Sequence, residues 1–391
     1  MKVALVHDFL KEYGGAERVL EVLHEMWPEA PVYTAFVDFN GLGPHAERIK
    51  KWDIRPSWVQ NNWLVKKFHS PLRFLAPKIW ESFDFSGYDL VISSASWYIT
   101  KGIITPPNCV HICYLHSVPR ALYGYETRMN WKKYLPTRIY GSLVNHSLRI
   151  YDFLASKRVD YFIANSKETA QRIKKFYRRE CTVIYPPVEI REVQSAKIPP
   201  SLKATEGYDK NQNDNAKFNM NNSYYLSVSR LAGAKHIDLA VKTANKMGFP
   251  FYVVGKGPEE RYLKSIAGQT IKFFGEVTDE ELVGLYSNCK AFIFCAKDED
   301  FGIVPVEAMG FGKAVIAYKS GGVAETVIDG KTGVFFEELT EECLEKAIRR
   351  YEKMTINGED CRKRAEEFSK ERFIQKMREF AEEKLAKQLL I

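Results

Sequence analysis

Residues 291–318 read AFIFCAKDEDFGIVPVEAMGFGKAVIAY, and this stretch indicates the fold class. Ala291 to Phe294 and Ala314 to Tyr318 are short apolar runs typical of buried strands, and a helical stretch begins near Gly302 between them. Strands that alternate with helices form a parallel sheet whose two faces are covered by the helices. The sequence therefore predicts an α/β fold.

The same alternation is present along most of the chain. Near its start, Val3 to His7 predicts a strand, Gly14-Gly15 ends a polar loop, and Ala16 to Trp27 predicts a helix. The last thirty residues are rich in Glu, Lys, Arg and Ala and predict one or two surface helices. Further strands are predicted at Leu90–Ser93, Val110–Leu115, Tyr161–Ala164, Val183–Val188, Tyr224–Ser229, Phe251–Val254, Ile271–Phe274 and Gly333–Phe335.

Two domains are expected, because 391 residues are about two and a half times the usual length of one domain. Ser195 to Asn222 is rich in Asn, Lys, Asp and Pro and predicts a linker or flexible loop. We therefore predict an N-terminal domain at 1–190, the linker at 191–222 and a C-terminal domain at 223–369, with a helix at 370–391 packing back on the first domain. Ligands of such open sheets bind at the carboxyl ends of the strands, so the chemistry is expected in a cleft between the domains.

Composition excludes several classes of protein. With 45% hydrophobic residues, 27% charged residues and a mean hydropathy of −0.31, the chain is typical of soluble globular proteins. It contains no run of 18 apolar residues, and its first apolar run is too short for a secretory signal. The seven cysteines are odd in number and scattered, which favours reduced thiols in a cytoplasmic protein.

The net charge is +8, and the whole excess lies in the first half of the chain. Residues 1–190 hold 26 Lys and Arg against 18 Asp and Glu, whereas residues 191–391 hold 31 of each kind. Between residues 48 and 80, eight basic residues are interleaved with four tryptophans, Trp52, Trp58, Trp63 and Trp80. Two interpretations stay open at equal weight: contact with an anionic membrane, or a solvated face with the tryptophans in the core. Nucleic acid is not expected as a partner, since no binding motif accompanies the charge.

The loop after the first strand lacks the G-x-G-x-x-G pattern of dinucleotide-binding folds. Gly14-Gly15 still lets the backbone approach a phosphate at the start of the next helix, where amide groups and the dipole favour an anion. A plain turn explains these two glycines equally well.

Two cations follow the predicted strand Tyr224 to Ser229. Arg230 and Lys235 lie five residues apart in a strand-to-helix loop, where both can reach one diphosphate, Arg as a fork and Lys as a point charge. Solvation at the surface is the alternative.

Two carboxylates flank the predicted helix start at Gly302. Glu299 precedes the helix and Glu307 lies in it, so one can hold sugar hydroxyls and the other a ribose diol, with the helix amides on the phosphates between them. The run Asp298 to Asp300 mimics a metal-binding D-x-D motif, but acids before a helix are more typical of a capping cluster, and no metal is expected.

His116 follows the predicted strand Val110 to Leu115 and is expected to face the cleft from the side opposite Glu299. A lone histidine is usually structural, so only its position favours a functional role.

The chain resembles the retaining glycosyltransferase family 4, which has the two-domain GT-B fold with two Rossmann-like parallel sheets facing each other across a cleft. The likeness is greatest to mannosyltransferases that build cell-surface polysaccharides and lipid-linked glycans in bacteria and archaea. It covers nearly the whole chain apart from Ser195 to Asn222 and rests on motifs in the family's order: GGAERV (14–19), YLHSVPRALY (114–123), FIANSKETA (162–170), VIYPPV (183–188), SRLAGAKHIDLAV (229–241), VVGKGPE (253–259), FFGEVTDEEL (273–282) and the stretch 299–336.

The resemblance implies roles for these residues. Glu299 would hold the transferred hexose, Glu307 the ribose, and His116 would touch the donor sugar near the reacting centre. The diphosphate would be gripped by Arg230, Lys235 and the backbone at Gly15. The further donor-binding residues would be Gly14, Phe301, Gly302, Ile303 and Val304, with Val277 bordering the base, and the acceptor-side candidates are Arg120, Asn165 and Ser166. Where the family usually has Lys-Gly, this chain has Lys235-His236.

The implied function is retaining transfer of a hexose, best assigned as mannose from GDP-mannose, to a glycan or polyprenyl-phosphate-linked acceptor at the cytoplasmic face of the cell membrane. No cofactor or metal is expected, since the protein's cations would replace the metal. UDP-glucose or another nucleotide hexose is the alternative donor. A sugar-nucleotide epimerase or phosphorylase and a non-catalytic membrane-surface scaffold are the alternative functions.

Overall fold

The computed structural model describes residues 1–127, 135–190 and 224–388, which fall into two compact units. Unit 1 comprises Met1–Pro187 together with Lys370–Ile391, and unit 2 comprises Val188–Ser369. The linker or loop predicted at 191–222 lies outside the described residues. Each unit has its own parallel sheet and its own apolar core.

The sheet of unit 1 is parallel at every described pairing. Its described strands are β1 (Val3–His7), β2 (Val32–Thr34), β3 (Ile54–Pro56), β4 (Leu90–Ala95), β5 (Val110–Leu115), β6 (Tyr161–Ala164) and β7 (Cys181–Val183). Their order across the sheet is β3-β2-β1-β4-β5-β6-β7. The chain thus builds outward from β1 on one side and from β4 on the other, which makes the gap between these two strands the topological switch point.

Helices cover both faces of this sheet. They are α1 (Gly15–Met26), α2 (Ala46–Ile49), α3 (Trp63–Lys67), α4 (Ala76–Trp80), α5 (Arg120–Tyr123), α6 (Leu135–Ala155) and α7 (Lys167–Tyr177), with 3-10 turns at Gly43–His45, Trp58–Asn61, Pro71–Leu75 and Thr100–Gly102. One core layer joins Leu5, Ile92 and Ile112 of the sheet to Leu20 and Leu23 of α1, and the other joins Val6 and Val91 to Phe36, Trp80 and Tyr98.

Unit 2 repeats the architecture with a second parallel sheet. Its described strands are β8 (Tyr225–Val228), β9 (Phe251–Val254), β10 (Ile271–Gly275), β11 (Ala291–Phe294), β12 (Val315–Tyr318) and β13 (Gly333–Phe336), in the order β10-β9-β8-β11-β12-β13. Its described helices are α8 (Ile237–Met247), α9 (Glu260–Ile266), α10 (Asp279–Asn288), α11 (Ile303–Gly310), α12 (Val323–Thr326), α13 (Glu341–Glu352) and α14 (Gly358–Glu366). The switch point here lies between β8 and β11.

The chain returns to unit 1 through α15 (Lys370–Gln388). Phe373, Met377 and Phe380 on this helix enter the core layer that contains Leu5, and the ring of Phe373 lies 5.8 Å from that of Tyr114. Helix α15 is a surface helix, as predicted for the end of the chain, and its one buried face packs on unit 1.

The predicted α/β class with two parallel sheets is confirmed, but the strand predictions need two corrections. The run Val183–Val188 is not a strand. The strand is Cys181–Val183, and it ends before Pro186 and Pro187, which lack the amide hydrogen that a ladder needs. The sequence analysis also missed β2 and β3, because each has only three residues and gives little periodicity.

Of the four tryptophans at residues 48–80, two lie in or against the core and two are exposed. Trp80 is fully buried, and Trp52 packs against the core and stacks on His24 at 4.4 Å. Trp58 and Trp63 are 45% and 69% exposed. No helix within the described residues is both long and apolar enough to cross a lipid bilayer.

Candidate functional site

Most of the predicted residues of unit 2 lie beyond the carboxyl ends of β8 and β11, the two strands at the switch point, whereas Val277 follows the edge strand β10. The loop 229–236 follows β8 and the loop 295–302 follows β11, and these two strands are neighbours in the sheet. A backbone hydrogen bond from the Lys297 amide to the Ala234 carbonyl, 3.2 Å long, joins the two loops. Ligands of open parallel sheets bind at such a point, so this edge is the candidate site of unit 2.

Lys235 and Glu299 meet at this edge. The Lys235 ammonium nitrogen lies 2.6 Å from Oε2 of Glu299, and both side chains are about one quarter exposed. A partly shielded ion pair is a charge-assisted hydrogen bond and fixes both groups in place. The structure therefore brings together the cation predicted for the diphosphate and the carboxylate predicted for the hexose, although 64 residues separate them in sequence.

The backbone of the loop 295–302 is held in a special conformation. Asp298 and Gly302 both have positive φ, 53° and 85°, and Gly302 caps the start of α11. A side chain at Gly321 would collide with the Glu299 carbonyl oxygen at 2.1 Å, and the Gly322 amide donates to that oxygen at 2.8 Å. Glycines thus let the loop after β12 press against the loop that carries Glu299.

The first turn of α11 begins directly after this loop. Phe301 is buried, whereas Ile303 and Val304 are half-buried and contribute two of the amide groups that a helix start leaves without intrahelical partners. One turn further on, Glu307 accepts a hydrogen bond of 3.0 Å from the Tyr286 hydroxyl. The Tyr286 hydroxyl carries no charge, so it orients the Glu307 carboxylate without neutralising it.

The other predicted residues of unit 2 lie on neighbouring loops. Arg230 is exposed and follows β8, and Val277 is half-exposed and follows β10. A side chain at Gly257 would meet the Leu231 carbonyl oxygen at 2.1 Å, so the loop after β9 lies against the Arg230 loop. His236, where the family pattern has glycine, adopts φ of 47°, which glycine adopts without strain.

In unit 1, His116 ends a chain of four polar side chains at the switch point of the sheet. Its Nε2 lies 2.8 Å from Oγ of Ser94, which lies 3.1 Å from Nδ1 of His7, and Nε2 of His7 lies 3.3 Å from Glu17. The second carboxylate oxygen of Glu17 accepts the Gly14 amide at 2.9 Å. These hydrogen bonds fix the orientation of the His116 ring, so Ser94, His7 and Glu17 are positioning residues.

Asp8, which follows β1 directly, ties the two loops of this switch point together. Its carboxylate accepts hydrogen bonds from the Ser96 hydroxyl at 2.8 Å, from the Tyr98 amide at 3.1 Å and from the Thr100 hydroxyl. Burial raises the pKa of Asp8 above its usual value, and His7 and the hydrogen bonds from Ser96 and Tyr98 act against that rise. The network holds the loop after β1 against the loop after β4.

The other predicted residues of unit 1 take local structural positions. Gly14 caps α1 and Gly15 is its first residue, while Arg120 is the first residue of α5. The side-chain amide of Asn165 donates to the His116 carbonyl at 2.9 Å. The Ser166 hydroxyl caps α7 by accepting a hydrogen bond of 3.0 Å from the backbone amide of Thr169. Ser166 thus has a complete structural role as a helix cap.

Sequence reasoning missed His7, Asp8, Glu17 and Ser94 as members of this cluster and missed Tyr286 beside Glu307. A usable signal was present for the first two, because both stand at the carboxyl end of the first predicted strand. The described residues contain no group of three His, Cys, Asp or Glu side chains placed to hold a metal ion.

Stability is expected to fall on mild acidification because two histidines are buried without charge. Burial lowers the pKa values of His111 and His116 to about 3, whereas unfolded histidines titrate near 6.5. Between these values the unfolded state binds more protons, so the free energy of unfolding should drop by roughly 1 kcal/mol for each histidine per pH unit as the pH falls below 6.5.

Urea unfolding at pH 7, 6 and 5 measures this slope, above the range in which most carboxylates titrate. His111→Gln should flatten it, and the same change at the exposed helix residue His146 should leave it unaltered. Equal stability at pH 7 and pH 5 would contradict the buried neutral state.

Two family descriptions match the chain in succession. "Glycosyltransferase Family 4" matches residues 13–192, and "Glycosyl transferases group 1" matches residues 209–368. Together the two matches cover most of both units and leave out residues 1–12, 193–208 and 369–391.

Relatives with curated names include mannosyltransferases. The alpha-1,3/1,6-mannosyltransferase alg2 of Schizosaccharomyces pombe is 25% identical over 386 residues, which cover 85% of this chain and 70% of that protein. The human alpha-1,3/1,6-mannosyltransferase is 26% identical over 56% of this chain, and an uncharacterized glycosyltransferase of Methanocaldococcus jannaschii is 28% identical over 38%. The matches span 57% and 42% of these last two proteins, about half of their lengths.

Solved structures share the fold over nearly the full chain. The Anabaena protein HepE in complex with UDP and glucose superposes with a TM-score of 0.68 at 18% identity, covering 98% of this chain and 100% of that one. The sucrose-phosphate synthase of Thermosynechococcus elongatus gives a TM-score of 0.70 at 17% identity, covering 99% and 100%. At such identities the likeness concerns the fold.

Proposed function

The chain is a glycosyltransferase of family 4 with the GT-B fold, and we propose that it is a retaining mannosyltransferase that uses GDP-mannose and a glycan or lipid-linked acceptor. The observation that carries the proposal is the Lys235–Glu299 pair at the switch point of unit 2. It couples a diphosphate-binding cation to a carboxylate able to accept hydrogen bonds from sugar hydroxyls, beside the N-terminus of α11.

In the proposed reaction, unit 2 stabilises the departing nucleotide. The bond between the hexose C1 and the β-phosphate oxygen breaks, and the diphosphate gains negative charge as it leaves. Lys235, Arg230 and the first amides of α11 are held ready for that charge, which lowers the barrier without reorganisation. The acceptor oxygen attacks C1 from the face that the nucleotide leaves, and its proton passes to the departing β-phosphate.

No divalent ion is needed in this proposal, because protein cations and helix amides take its place. Lys235 already neutralises Glu299, which makes that carboxylate a poor metal ligand. The expected observation is transfer activity that persists in excess EDTA.

The role proposed for His116 rests on its own surroundings in unit 1. Its ring is held by Ser94, and its pKa, lowered to about 3 by burial and by His7, keeps the imidazole neutral at physiological pH. A neutral ring can donate or accept a hydrogen bond without attracting a counterion. We assign it a hydrogen bond to the donor sugar during transfer.

Donor identity is tested by thermal shift against GDP-mannose, UDP-glucose and ADP-glucose. GDP-mannose is expected to raise the melting temperature by several degrees, since a ligand at a hundred times its Kd stabilises by about 2.7 kcal/mol. Glu307→Gln should remove most of this shift because it weakens the grip on the ribose. The matched control Glu359→Gln changes an exposed glutamate of α14 and should keep it.

A rise in melting temperature with UDP-glucose alone would overturn the assignment of guanine as the donor base, but the proposed glycosyltransferase activity would stand. Donor incubated without acceptor distinguishes the remaining functions: release of free or phosphorylated sugar at the rate of transfer would indicate an epimerase or phosphorylase.

A further inference from the structure

Unit 1 exposes a broad apolar surface formed by two segments, which we call the α3–α6 face. The first segment, residues 57–80, includes α3 and the 3-10 turn that follows it, and contributes Trp63, Leu64, Phe68 and Phe74. From α6 the face takes Leu135, Ile139, Leu143, Ile150, Phe153 and Leu154. All ten are at least 37% exposed, and Trp63 and Leu143 reach 69% and 70%. Monomeric soluble proteins rarely expose so many large apolar side chains together.

Helix α6 is inverted relative to an ordinary surface helix. At 3.6 residues per turn, its six exposed apolar side chains fall within about a third of the circumference. The opposite third is buried and carries Gly141, Asn145 and Asp152 beside Leu148 and Ala155. The polar residues therefore hold the helix to the unit while the apolar stripe points away from its core.

The two segments lie side by side. Arg73, within the 3-10 turn, donates a hydrogen bond of 2.6 Å to the Asn145 side chain of α6. The Tyr140 hydroxyl of α6 donates to the Pro71 carbonyl of the same turn. These contacts place the two segments next to each other in unit 1.

Charge on this surface has a single sign. Residues 57–80 contain no Asp or Glu, and the one acid of residues 135–155, Asp152, is fully buried. Together the two ranges hold six Lys or Arg. Four of these cations belong to the first segment and two to α6, and Lys67, Lys78 and Arg138 are exposed. Apolar and aromatic side chains among cations match the boundary of an anionic bilayer, where the former enter the acyl region and the latter meet lipid phosphate.

We propose that the α3–α6 face docks unit 1 on an anionic lipid bilayer. A second copy of the chain is the wrong occupant, because an isologous contact would set these cations against their own copies without an acid to pair them. The proposal is independent of the donor and of the reaction, since it uses no residue of the candidate site.

The test is co-sedimentation of the full chain with vesicles of phosphatidylcholine, with or without 30% phosphatidylglycerol. Wild type should partition at least tenfold more strongly onto the anionic vesicles, and 0.5 M salt should weaken that binding. The double variant Trp63→Ser/Leu143→Ser should reduce it about tenfold or more, while the melting temperature stays within about 2 °C because both side chains are exposed.

Matched control variants distinguish vesicle binding through the α3–α6 face from non-specific binding by other parts of the protein surface. Tyr262→Ser changes a 44% exposed aromatic of unit 2 and should leave vesicle binding unaltered. Lys67→Glu/Arg138→Glu should lower binding to anionic vesicles, whereas Lys174→Glu, a 74% exposed lysine elsewhere in unit 1, should have a small effect.

Equal binding of Trp63→Ser/Leu143→Ser and wild type would overturn the proposal, as would equal binding to neutral and anionic vesicles or no binding to either. A dimer in vesicle-free buffer that the double variant dissociates would also overturn it and would assign the face to a second copy.

Discussion

Replacing Lys235 with alanine is expected to lower kcat about a hundredfold or more while leaving the fold intact. Removing one preorganised donor from an oxyanion-type site costs on the order of 2.7–4 kcal/mol of transition-state stabilisation, and each 1.36 kcal/mol is about tenfold in rate. The loss should be larger in kcat than in KM, because the charge on the diphosphate grows as the sugar departs. Steady-state transfer assays measure both constants, and a thermal melt checks the fold.

A matched control exists seven residues further along the chain. Lys242 on α8 pairs with Asp238 at 2.9 Å, so Lys242→Ala removes a similar ion pair outside the proposed site and should keep kcat within about twofold. Arg230→Ala should resemble Lys235→Ala, since both cations are assigned to the same phosphates.

The pair itself needs a separate test, because Lys235→Ala also leaves Glu299 without its 2.6 Å partner. If the lysine acts only by holding Glu299, the double variant Lys235→Met/Glu299→Gln should be no slower than Lys235→Ala alone. A slower double variant supports independent roles on phosphate and sugar. Wild-type turnover from Lys235→Ala would remove the lysine from the mechanism.

Buried parallel strands were predictable because both of their faces are covered. Phe251–Val254 is a continuous apolar run and Val110–Leu115 is interrupted only by His111, and the structure has both strands with the predicted bounds. The edge strand Ile54–Pro56 is half-buried to exposed, so its sequence has no such run and escaped notice. The fully buried strand Val32–Thr34 was missed as well, so a strand must be both buried and longer than three residues to be predicted from its sequence here.

The candidate site was predictable only in part. Glu299 and Lys235 each follow a strand, and the rule that parallel sheets bind ligands at that end selects them. Their contact depends on β8 and β11 being neighbours, which the sequence does not state. The series of hydrogen bonds from Glu17 through His7 and Ser94 to His116 could not be predicted for the same reason. It requires β1, β4 and β5 to lie side by side.

Helix α6 shows a different limit. An apolar stripe on a helix ordinarily predicts the face that packs on the core. In this helix the stripe is exposed and the buried face contains Asp152, whose partner Lys101 comes from a 3-10 turn 51 residues earlier. No local sequence pattern predicts a buried ion pair between residues so far apart. Hydrophobic periodicity alone therefore predicts the wrong face of α6 as the buried one.

The buried Lys101–Asp152 ion pair gives the largest expected effect on stability. Lys101→Ala should lower the free energy of unfolding by about 3–5 kcal/mol. Lys101 and Asp152 form an ion pair with both side chains fully buried, and the Tyr123 hydroxyl donates to the second carboxylate oxygen at 2.7 Å. The Lys101 ammonium also lies 4.6 Å from the centre of the Tyr177 ring. Truncating the lysine leaves a buried carboxylate without its cation, and urea unfolding at pH 7 measures the cost.

Two further variants test whether burial of the ion pair is the reason for the large loss of stability expected in Lys101→Ala. Lys50→Ala breaks an ion pair of 2.6 Å with Glu47 at the surface, where solvent screens the charges, and should cost under about 1 kcal/mol. The double variant Lys101→Met/Asp152→Leu removes both buried charges and should recover most of the stability lost in Lys101→Ala, since a filled apolar site needs no partner. If Lys101→Ala costs no more than Lys50→Ala, the pair is not what holds α6, and the outward apolar stripe of that helix requires a different explanation.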